Sequence, residues 1–249
     1  IAKLKIFDPA CGSGNFLIIA YKELRTLEIE IMQRIDEITQ KPSMAFSQIY
    51  LNNFYGIEID DFAHEIAKLS LWLAEHQMNM VFEKAFGRTM PALPLKDAGK
   101  IVCANACRID WEQVCPKQPE DEIYILGNPP YLGFNERKKL GTTNEDMEVV
   151  FAKIGNVKRL DYISCWFKLA TDYINDTVNK YAFVSTNSIC QGEQVAMLWP
   201  YILNNNQDIF FAHQSVKWGN NAKSNAGVTC VIIGIQMQST STKYIFQNK

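Results

Sequence analysis

The turn Asn128-Pro129-Pro130-Tyr131 combines the side chains best suited to holding a planar amine. It follows an apolar, strand-like run, Ile123 to Leu126. The asparagine offers a carboxamide oxygen as acceptor, and the two prolines stiffen the backbone without adding an N–H donor of their own. The tyrosine adds a flat aromatic face. A nucleobase that has left the helix stack presents such an amine. An ordinary proline-rich loop has the same composition, so the turn alone leaves both interpretations open.

A second candidate site is the loop Asp8 to Phe16, which follows the β-prone run Leu4 to Phe7 and reads DPACGSGNF. Small residues and two glycines let the backbone approach a ligand closely, and the helix that follows presents its N-terminus. Leu17 occupies the position of the third glycine in the dinucleotide fingerprint, so a nicotinamide dehydrogenase is disfavoured. The loop therefore predicts a nucleotide-like ligand of another kind.

The strand-like run Phe54 to Asp60 ends in two carboxylates. In nucleotide-binding α/β folds an acid at the end of the second strand accepts hydrogen bonds from ribose hydroxyls. Glu58 is the candidate for this role, because Asp60 is placed to cap the next helix. Ile59 would then offer an apolar wall to an adenine ring. Two solvated charges at a strand end are the alternative.

A third strand is predicted from Ile101 to Ala106, and Asn105 near its end could bind the amino group and a ring nitrogen of adenine. Parallel strands of a doubly wound sheet end at one edge, where ligands bind. We therefore expect the glycine loop, Glu58 and Asn105 at that edge, together with the Asn-Pro-Pro-Tyr turn.

Apolar periodicity predicts the elements that position these residues. A helix from Phe16 to about Gln40 carries a stripe assigned to the core, and another helix follows Asp60 to about Met78. The stripe comprises Phe16, Ala20, Leu24, Leu27, Ile31, Ile35 and Ile38.

The second half of the chain begins with a polar, poorly periodic stretch from Leu132 to Leu160, which predicts a long loop. Its basic residues could contact DNA phosphates, or the loop could simply be solvated. Beyond it we predict a core helix, a fifth strand at Tyr181 to Ser185, a helix near Glu193 to Leu203, and a hairpin at one sheet edge, Asp208 to Val216 with Val228 to Gln236. The core helix is marked by Ile163, Trp166, Phe167, Ala170, Tyr173 and Ile174.

The composition limits which classes of protein and which kinds of site are possible. With 249 residues, of which 47% are apolar, the chain can bury the core of one α/β domain. No signal peptide is evident and no apolar run approaches the ~20 residues of a membrane span, so we expect a cytoplasmic protein.

Seven irregularly spaced cysteines favour reduced thiols over disulfides. A zinc site at Cys103, Cys107 and Cys115 is disfavoured, since no CxxC pair exists, and we expect no metal.

The net charge of −2 gives no general attraction to nucleic acid, so DNA binding would need local basic patches or further parts of a longer protein. Ile1 lies only a few residues before the first predicted strand. Another β-like run starts at Lys243 and breaks off after Phe246. We therefore expect residues 1–249 to be one segment of a longer polypeptide.

The loop Asp8 to Phe16 and the Asn-Pro-Pro-Tyr turn together resemble the S-adenosylmethionine-dependent methyltransferases that modify the N6 amine of adenine in DNA. The order, loop before turn, is that of their γ class. Three further segments resemble the MmeI-like (type IIG) restriction–modification enzymes more narrowly: Gly56 to Asp60, Asn105 to Trp111 and Ser185 to Gln194. The resemblance covers essentially the whole chain. It implies a Rossmann-like fold with a mostly parallel, seven-stranded sheet and an antiparallel edge hairpin.

The resemblance also implies a role for each matching residue. S-adenosyl-L-methionine would be the cofactor, with Glu58 at its ribose, Ile59 on its adenine, and Asn105, which stands where many relatives have Asp, at the adenine amine. The residues lining the cofactor would be Asp8, Ala10, Cys11, Gly12, Gly14, Glu58, Ile59, Asn105 and Ala106. The amine of a flipped adenine would bind Asn128 and the Pro129 carbonyl in the turn that Pro130 completes, with Tyr131 stacked on its ring. Trp218, or otherwise Phe211, would stack on its other face.

Double-stranded DNA is the partner that the resemblance implies, with the remainder of a multidomain polypeptide. The γ class has a segment before the glycine loop that closes over the cofactor, and we expect that segment, a nuclease and a target-recognition domain to lie outside this chain. Two groups of alternatives stay open. Protein-glutamine N5 and RNA guanine N2 methyltransferases use the same turn, and a non-catalytic DNA-binding subunit could keep the fold.

Overall fold

The computed structural model describes residues 3–42, 46–88, 99–133, 141–152, 159–217 and 229–247. The chain forms two compact units, residues 1–104 and 105–249. The glycine loop and Glu58 belong to the first unit. The Asn-Pro-Pro-Tyr turn and Asn105 belong to the second.

The first unit is built on three parallel strands in the order β3-β2-β1: β1 Leu4–Asp8, β2 Phe54–Glu58 and β3 Lys100–Cys103. In register, Asp8 lies opposite Gly56, and Glu58 lies opposite Cys103. The three strands therefore end at one edge, which brings the glycine loop and Glu58 to the same end of the sheet, as predicted.

Two helices complete this unit, α1 Asn15–Thr39 and α2 Asp61–Phe86, and both were predicted. Gly14 precedes α1 with φ 86°, a left-handed conformation that side chains disfavour. Asp60 caps α2 by accepting a hydrogen bond from the Ala63 N–H at 2.8 Å, which confirms its assignment as a helix cap. A 3₁₀ turn, Leu51–Asn53, leads into β2.

The buried face of α1 differs from the predicted one. Leu27, Ile31, Ile35 and Ile38 are between 41% and 69% exposed. The residues that the helix buries are instead Leu17, Tyr21, Arg25, Glu28, Ile29 and Met32. Two charged side chains can lie in this face because the Arg25 guanidinium donates to Tyr21 at 2.6 Å and to Asn79 of α2 at 3.2 Å, and pairs with Glu28 at 3.6 Å.

The second unit contains the five strands that follow. They are β4 Glu122–Gly127, β5 Lys180–Thr186, β6 Gln207–Lys217, β7 Thr229–Met237 and β8 Tyr244–Gln247. Their order is β4-β5-β7-β6-β8, with β4 and β5 parallel and the β6–β7 hairpin antiparallel. The hairpin is not the edge that we predicted, because β8 pairs with the outer side of β6. The ranges that the structure describes thus contain eight strands rather than seven.

The described part of this unit contains four helices: α3 Trp111–Val114, α4 Gly141–Val150, α5 Ser164–Ile174 and α6 Gly192–Leu203. A 3₁₀ turn, Asn187–Cys190, follows β5. The predicted aromatic core of α5 is confirmed, since Trp166, Phe167 and Tyr173 are buried. The interpretation of Leu132 to Leu160 as one long loop was wrong, because α4 lies within it and buries Asp146, Met147 and Val150. None of the helices in the ranges given above is long and apolar enough to cross a membrane.

Candidate active site

The glycine loop wraps closely over the end of the first unit's sheet. The Cys11 N–H donates to the Ile57 carbonyl at 3.1 Å, and the Gly14 N–H donates to the Cys11 carbonyl at 2.8 Å. Gly12 has φ 54°, and a Cβ built on it would meet no atom within 4 Å. The loop therefore turns tightly and leaves open space beside Gly12, which suits the close approach of a ligand.

Glu58 is fixed by two backbone N–H donors. Its Oε2 accepts from Gly12 at 2.8 Å, and its Oε1 accepts from Asp60 at 2.8 Å. The carboxylate thus ties the end of β2 to the glycine loop. Each oxygen keeps a further acceptor site, so the carboxylate retains the capacity for the predicted pairing with a diol such as ribose.

Asp8 is the buried acid of this loop, with 1% of its surface exposed. Its Oδ1 accepts from the Ala10 N–H at 3.0 Å, whereas its buried Oδ2 accepts no hydrogen bond from any residue that the structure describes. Burial raises the pKa of Asp8 to about 7, and the Glu58 charge adds to the rise against the hydrogen bond from Ala10. A free carboxylate oxygen of this kind fits a cationic group, such as the ammonium or sulfonium of the predicted cofactor.

The Cys11 side chain packs against Gly56 of β2. It is buried, and a Cβ on Gly56 would lie 2.9 Å from its Sγ. Burial, with the charges of Asp8 and Glu58, raises the pKa of this thiol far above its ordinary value, so it is not a nucleophile. The structure thus gives this side chain a packing role, and a contact with the cofactor stays a prediction.

Ile59 is placed very differently from its neighbours on β2. It is 68% exposed at the carboxyl end of the strand, directly after Glu58. An exposed isoleucine next to a fixed carboxylate suits a nucleoside. The carboxylate would bind the ribose, and the isoleucine would offer an apolar surface to the adenine ring. The predicted cofactor residues of the first unit therefore lie in the glycine loop and at the carboxyl end of β2. They are Asp8, Ala10, Cys11, Gly12, Gly14, Glu58 and Ile59.

In the second unit, the Asn-Pro-Pro-Tyr turn follows β4 directly and begins with an unpaired acceptor. Asn128 Oδ1 is buried and accepts no hydrogen bond within the parts of the chain that the structure describes. The Asn128 side chain hydrogen-bonds to the Tyr131 side chain. Pro129 is buried and Tyr131 is half-buried. Burial and the nearby Cys230 thiol raise the pKa of Tyr131, so its ring carries a neutral hydroxyl at physiological pH.

The residues after the turn are anchored to the start of α5. The Tyr162 N–H donates to the Leu132 carbonyl at 3.0 Å. Asp161 accepts a hydrogen bond from Ser188 on its Oδ2, and its N–H donates to Gln194 at 3.1 Å. Ser188 and Gln194 belong to the segment that resembled MmeI-like enzymes, and their contacts hold Asp161, the residue before Tyr162.

Asn105 lies just beyond β3 and has both ends of its amide engaged. Its Oδ1 accepts from the Cys107 N–H at 2.8 Å, and its Nδ2 donates to both oxygens of Asp146 at 3.1 and 3.2 Å. Arg108 and Tyr162 donate to the same carboxylate. Ala106 is buried, and its carbonyl accepts from Trp111 Nε1 at 2.9 Å.

Sequence reasoning missed Asp146 because it took the surrounding stretch for a loop. The spacing of Thr143, Met147, Val150 and Phe151 by three or four residues was the available signal, and all four are buried. Asp146 falls on the same face and is 3% exposed.

The second aromatic ring that would stack on the flipped base stays a prediction. Trp218 lies outside the described residues. The Phe211 ring packs over Gly234, where a Cβ would come within 2.2 Å of it, and meets the Phe210 ring edge-on at 4.8 Å. No group of three His, Cys, Asp or Glu side chains placed to hold a metal ion occurs among the residues that the structure describes.

Comparison with known proteins identifies the family. The model of the MmeI DNA-methyltransferase domain matches residues 1–247. DNA methyltransferase A of Bacillus subtilis (strain 168) is 51% identical over 252 residues, which cover 99% of this chain and 28% of that protein. The type IIL restriction–modification enzyme MmeI, solved in complex with DNA, is 40% identical with a TM-score of 0.89, over 100% of this chain and 33% of MmeI.

A more distant neighbour shares the fold alone. The M protein of the type I restriction enzyme EcoKI is 14% identical with a TM-score of 0.52, over 98% of this chain and 44% of that protein. The chain spans about a third or less of the length of DNA methyltransferase A and of MmeI. On the family match and these two relatives, the chain belongs to the MmeI-type DNA-methyltransferase domains, with the α/β, Rossmann-like fold predicted from its sequence.

Proposed function

We propose that this chain is the catalytic domain of a site-specific DNA methyltransferase of a restriction–modification system. It transfers a methyl group from S-adenosyl-L-methionine to the N6 amine of a flipped-out adenine. The observation that carries the proposal is the buried, unpaired Oδ1 of Asn128 beside Tyr131. A buried acceptor without a partner costs about 1–3 kcal/mol, so its place in this turn calls for a donor supplied by the substrate.

The turn addresses the main difficulty of the reaction. The exocyclic amine of adenine is a poor nucleophile because its lone pair is delocalised into the ring. Asn128 Oδ1 and the Pro129 carbonyl accept the two amine hydrogens out of the ring plane, which favours a more tetrahedral nitrogen and frees the lone pair. Tyr131 stacks on the ring and holds it in place. The protein's contribution is alignment and a fixed field of acceptors.

The first unit supplies the cofactor site. S-adenosyl-L-methionine brings a methyl group already activated by its sulfonium. Glu58, held by two backbone N–H donors, accepts from the ribose hydroxyls, and Ile59 covers the adenine. Asp8 faces the cationic methionine half with its unpaired oxygen, and Gly12 leaves room for that half to lie against the backbone.

DNA as substrate is supported by the relatives. One is a DNA methyltransferase by name, and the MmeI structure contains DNA. In both, the matching region is part of a longer chain, which supports the proposal that this domain works within a multidomain polypeptide.

The proposal is tested with Asn128→Ala in the protein that contains this chain. Loss of one preorganised acceptor at the reacting amine lowers the methylation rate by about 100-fold or more. The affinity for S-adenosyl-L-methionine, measured by calorimetry, stays within about twofold, since Asn128 serves the substrate amine. Asn175→Ala, an exposed asparagine after α5, is the matched control and leaves both quantities unchanged. Parallel loss of methylation and cofactor binding in Asn128→Ala would show a structural role instead.

A further inference from the structure

Asp161 is a buried acid of the second unit that lies just before α5, with 8% of its surface exposed. Its Oδ2 accepts a hydrogen bond from the Ser188 hydroxyl, and its N–H donates to Gln194 Oε1 at 3.1 Å. Both partners follow β5, the strand that pairs in parallel with β4. Asp161 therefore ties the residues before α5 to the segment that follows β5.

Two hydroxyls connect this carboxylate to the end of β5. Ser188 has one hydroxyl proton, and it donates that proton to Asp161. Thr186 Oγ1 lies 2.6 Å from Ser188 Oγ, so Thr186 is the donor in this second hydrogen bond. The carboxylate thus fixes the rotation of both hydroxyls.

Asp161 also contacts the segment that leaves the Asn-Pro-Pro-Tyr turn. Tyr131, Leu132 and Gly133 belong to no helix or strand. The Leu132 carbonyl accepts a hydrogen bond at 3.0 Å from the N–H of Tyr162, the residue after Asp161. A Cβ built on Gly133 would lie 3.8 Å from Asp161 Oδ1, so the carboxylate itself lies against this segment. Asp161 and Tyr162 together hold the backbone that follows Tyr131.

The two hydroxyls also end close to Tyr131. Thr186 lies opposite Cys230 where β5 pairs with β7 in antiparallel register. Residues opposed in this way have side chains on the same face of the sheet, with Cβ atoms about 5 Å apart. Burial and the Cys230 thiol both raise the pKa of Tyr131, which puts that thiol near the Tyr131 hydroxyl. The contacts of Asp161 thus reach the neighbourhood of Tyr131 from the backbone and from β5.

We propose that Asp161 is a positioning residue for the methyl transfer, and that it acts through Tyr131. The inference rests on the proposed function, in which Tyr131 stacks on the flipped adenine. The Tyr131 side chain also hydrogen-bonds to that of Asn128, so a displaced Tyr131 turns the amide that accepts from the amine. Asp161 needs no contact with either substrate for this role. It affects the rate through the place at which it holds the ring.

The test is a double-mutant cycle on the methylation rate of the protein that contains this chain. The rate is measured in single turnovers with S-adenosyl-L-methionine and double-stranded DNA. Asp161→Ala releases Ser188 and the segment after the turn, and we expect it to lower the rate by about tenfold, because small misplacements of reacting groups are costly. In a Tyr131→Ala background no ring is left to misplace, so Asp161→Ala lowers the rate by about twofold or less.

Two matched controls separate this role from a purely structural one. Asp161→Asn keeps an oxygen that accepts from Ser188, so its rate stays within about threefold of the wild type. Ser164→Ala removes a different hydrogen bond to Asp161, from the Ser164 hydroxyl to the main-chain carbonyl at 2.6 Å, and leaves the carboxylate contacts in place. Its rate stays within about twofold of the wild type. A tenfold loss in Ser164→Ala would overturn the inference.

Ser188→Ala gives the same comparison where Asp161→Ala does not fold. It removes the donor to the carboxylate and parts Thr186 from it. An equal loss of rate in the wild-type and Tyr131→Ala backgrounds, or no loss in either, overturns the inference, because a residue that acts through Tyr131 cannot have independent effects. Absence of DNA methylation by the wild-type protein would instead contradict the proposed function.

Discussion

At the scale of single residues, each unit has a buried oxygen that accepts no hydrogen bond from the described residues and lies in a predicted ligand site: Asp8 Oδ2 in the first unit and Asn128 Oδ1 in the second. An unpaired buried acceptor lowers the stability of the folded protein. A ligand that donates a hydrogen bond to such an oxygen recovers that free energy on binding. One is a carboxylate suited to a cation, and the other is a neutral amide suited to an amine. A carboxylate that suits a cation and an amide that suits an amine match the two substrates of a methyl transfer from a sulfonium to an amine.

Asp8 should make stability depend on pH. Its pKa in the folded protein is about 7, above the unfolded value of 3.8. Between these values the folded state binds more protons, so the free energy of unfolding falls as pH rises from about 4 to 7, by about 4 kcal/mol in total. Asp8→Asn removes this contribution.

Chemical denaturation at pH 5 and pH 8 measures the effect. The wild type loses more stability between the two pH values than Asp8→Asn does. Asp61→Asn, an acid in the first turn of α2 with an exposed side chain, is the control and keeps the wild-type slope. Equal slopes in wild type and Asp8→Asn would mean that Asp8 is ionised throughout.

The helix-capping role of Asp60 was predictable because it follows a local rule, whereas the ribose-binding role of Glu58 stays a prediction. Asp60 sits at the N-cap position of a strongly periodic helix, and Glu58 sits at a strand end. The partner of Asn105 was not predictable, because Asp146 is 41 residues away in the chain and the contact depends on tertiary packing.

At the scale of elements, α1 shows why periodicity located a helix but not its buried face. The sequence offers two apolar stripes, and the folded protein buries the one that contains Arg25 and Glu28. Those charges are tolerable only because Tyr21 and Asn79 lie within hydrogen-bond distance of Arg25, and Asn79 comes from α2. A rule that counts apolar residues along one helix cannot include that partner.

Substitutions on the two faces of α1 should therefore differ sharply. Ile35→Gln, on the exposed stripe, changes the free energy of unfolding by about 0.5 kcal/mol or less, as surface substitutions do. Leu17→Ala, on the buried face, lowers it by about 2–5 kcal/mol because it leaves a cavity. Urea titrations followed by circular dichroism measure both. A loss above about 2 kcal/mol for Ile35→Gln would contradict the assignment of this stripe to the surface.

Tyr162 connects two elements of the second unit. Its N–H donates to the Leu132 carbonyl next to the Asn-Pro-Pro-Tyr turn, and its hydroxyl donates to Asp146 of α4. Tyr162→Phe leaves a buried carboxylate short of one donor, which lowers the free energy of unfolding by about 1–3 kcal/mol.

Tyr124→Phe provides the matched control, because the Tyr124 hydroxyl donates to Glu122 at an exposed position. Water replaces that bond, so the expected loss is about 0.5 kcal/mol or less. Denaturation of both variants under the same conditions gives the comparison. Equal losses for the two tyrosines would show that the Asp146 network adds nothing to stability.

At the scale of the whole molecule, the mostly parallel α/β sheet with an antiparallel hairpin was predictable from the sequence, because α/β folds obey strong topological rules. The β-like run noted from Lys243 to Phe246 lies where β8 is found, but its membership of the sheet was not predicted, because the four residues of β8 are exposed and show no apolar alternation. A net charge of −2 provides no general attraction to DNA. Binding to DNA must then come from local surfaces or from other parts of the longer proteins to which such domains belong.

The most direct test of the account follows a labelled methyl group from S-adenosyl-L-methionine. The protein that contains this chain is offered double-stranded DNA, RNA and a glutamine-bearing peptide in parallel, and the labelled product is digested and identified. We predict label in DNA alone, recovered as N6-methyladenine and lost in Asn128→Ala. Label recovered as methylated guanine from RNA, as methylglutamine, or as a methylated cytosine in DNA would contradict the central claim.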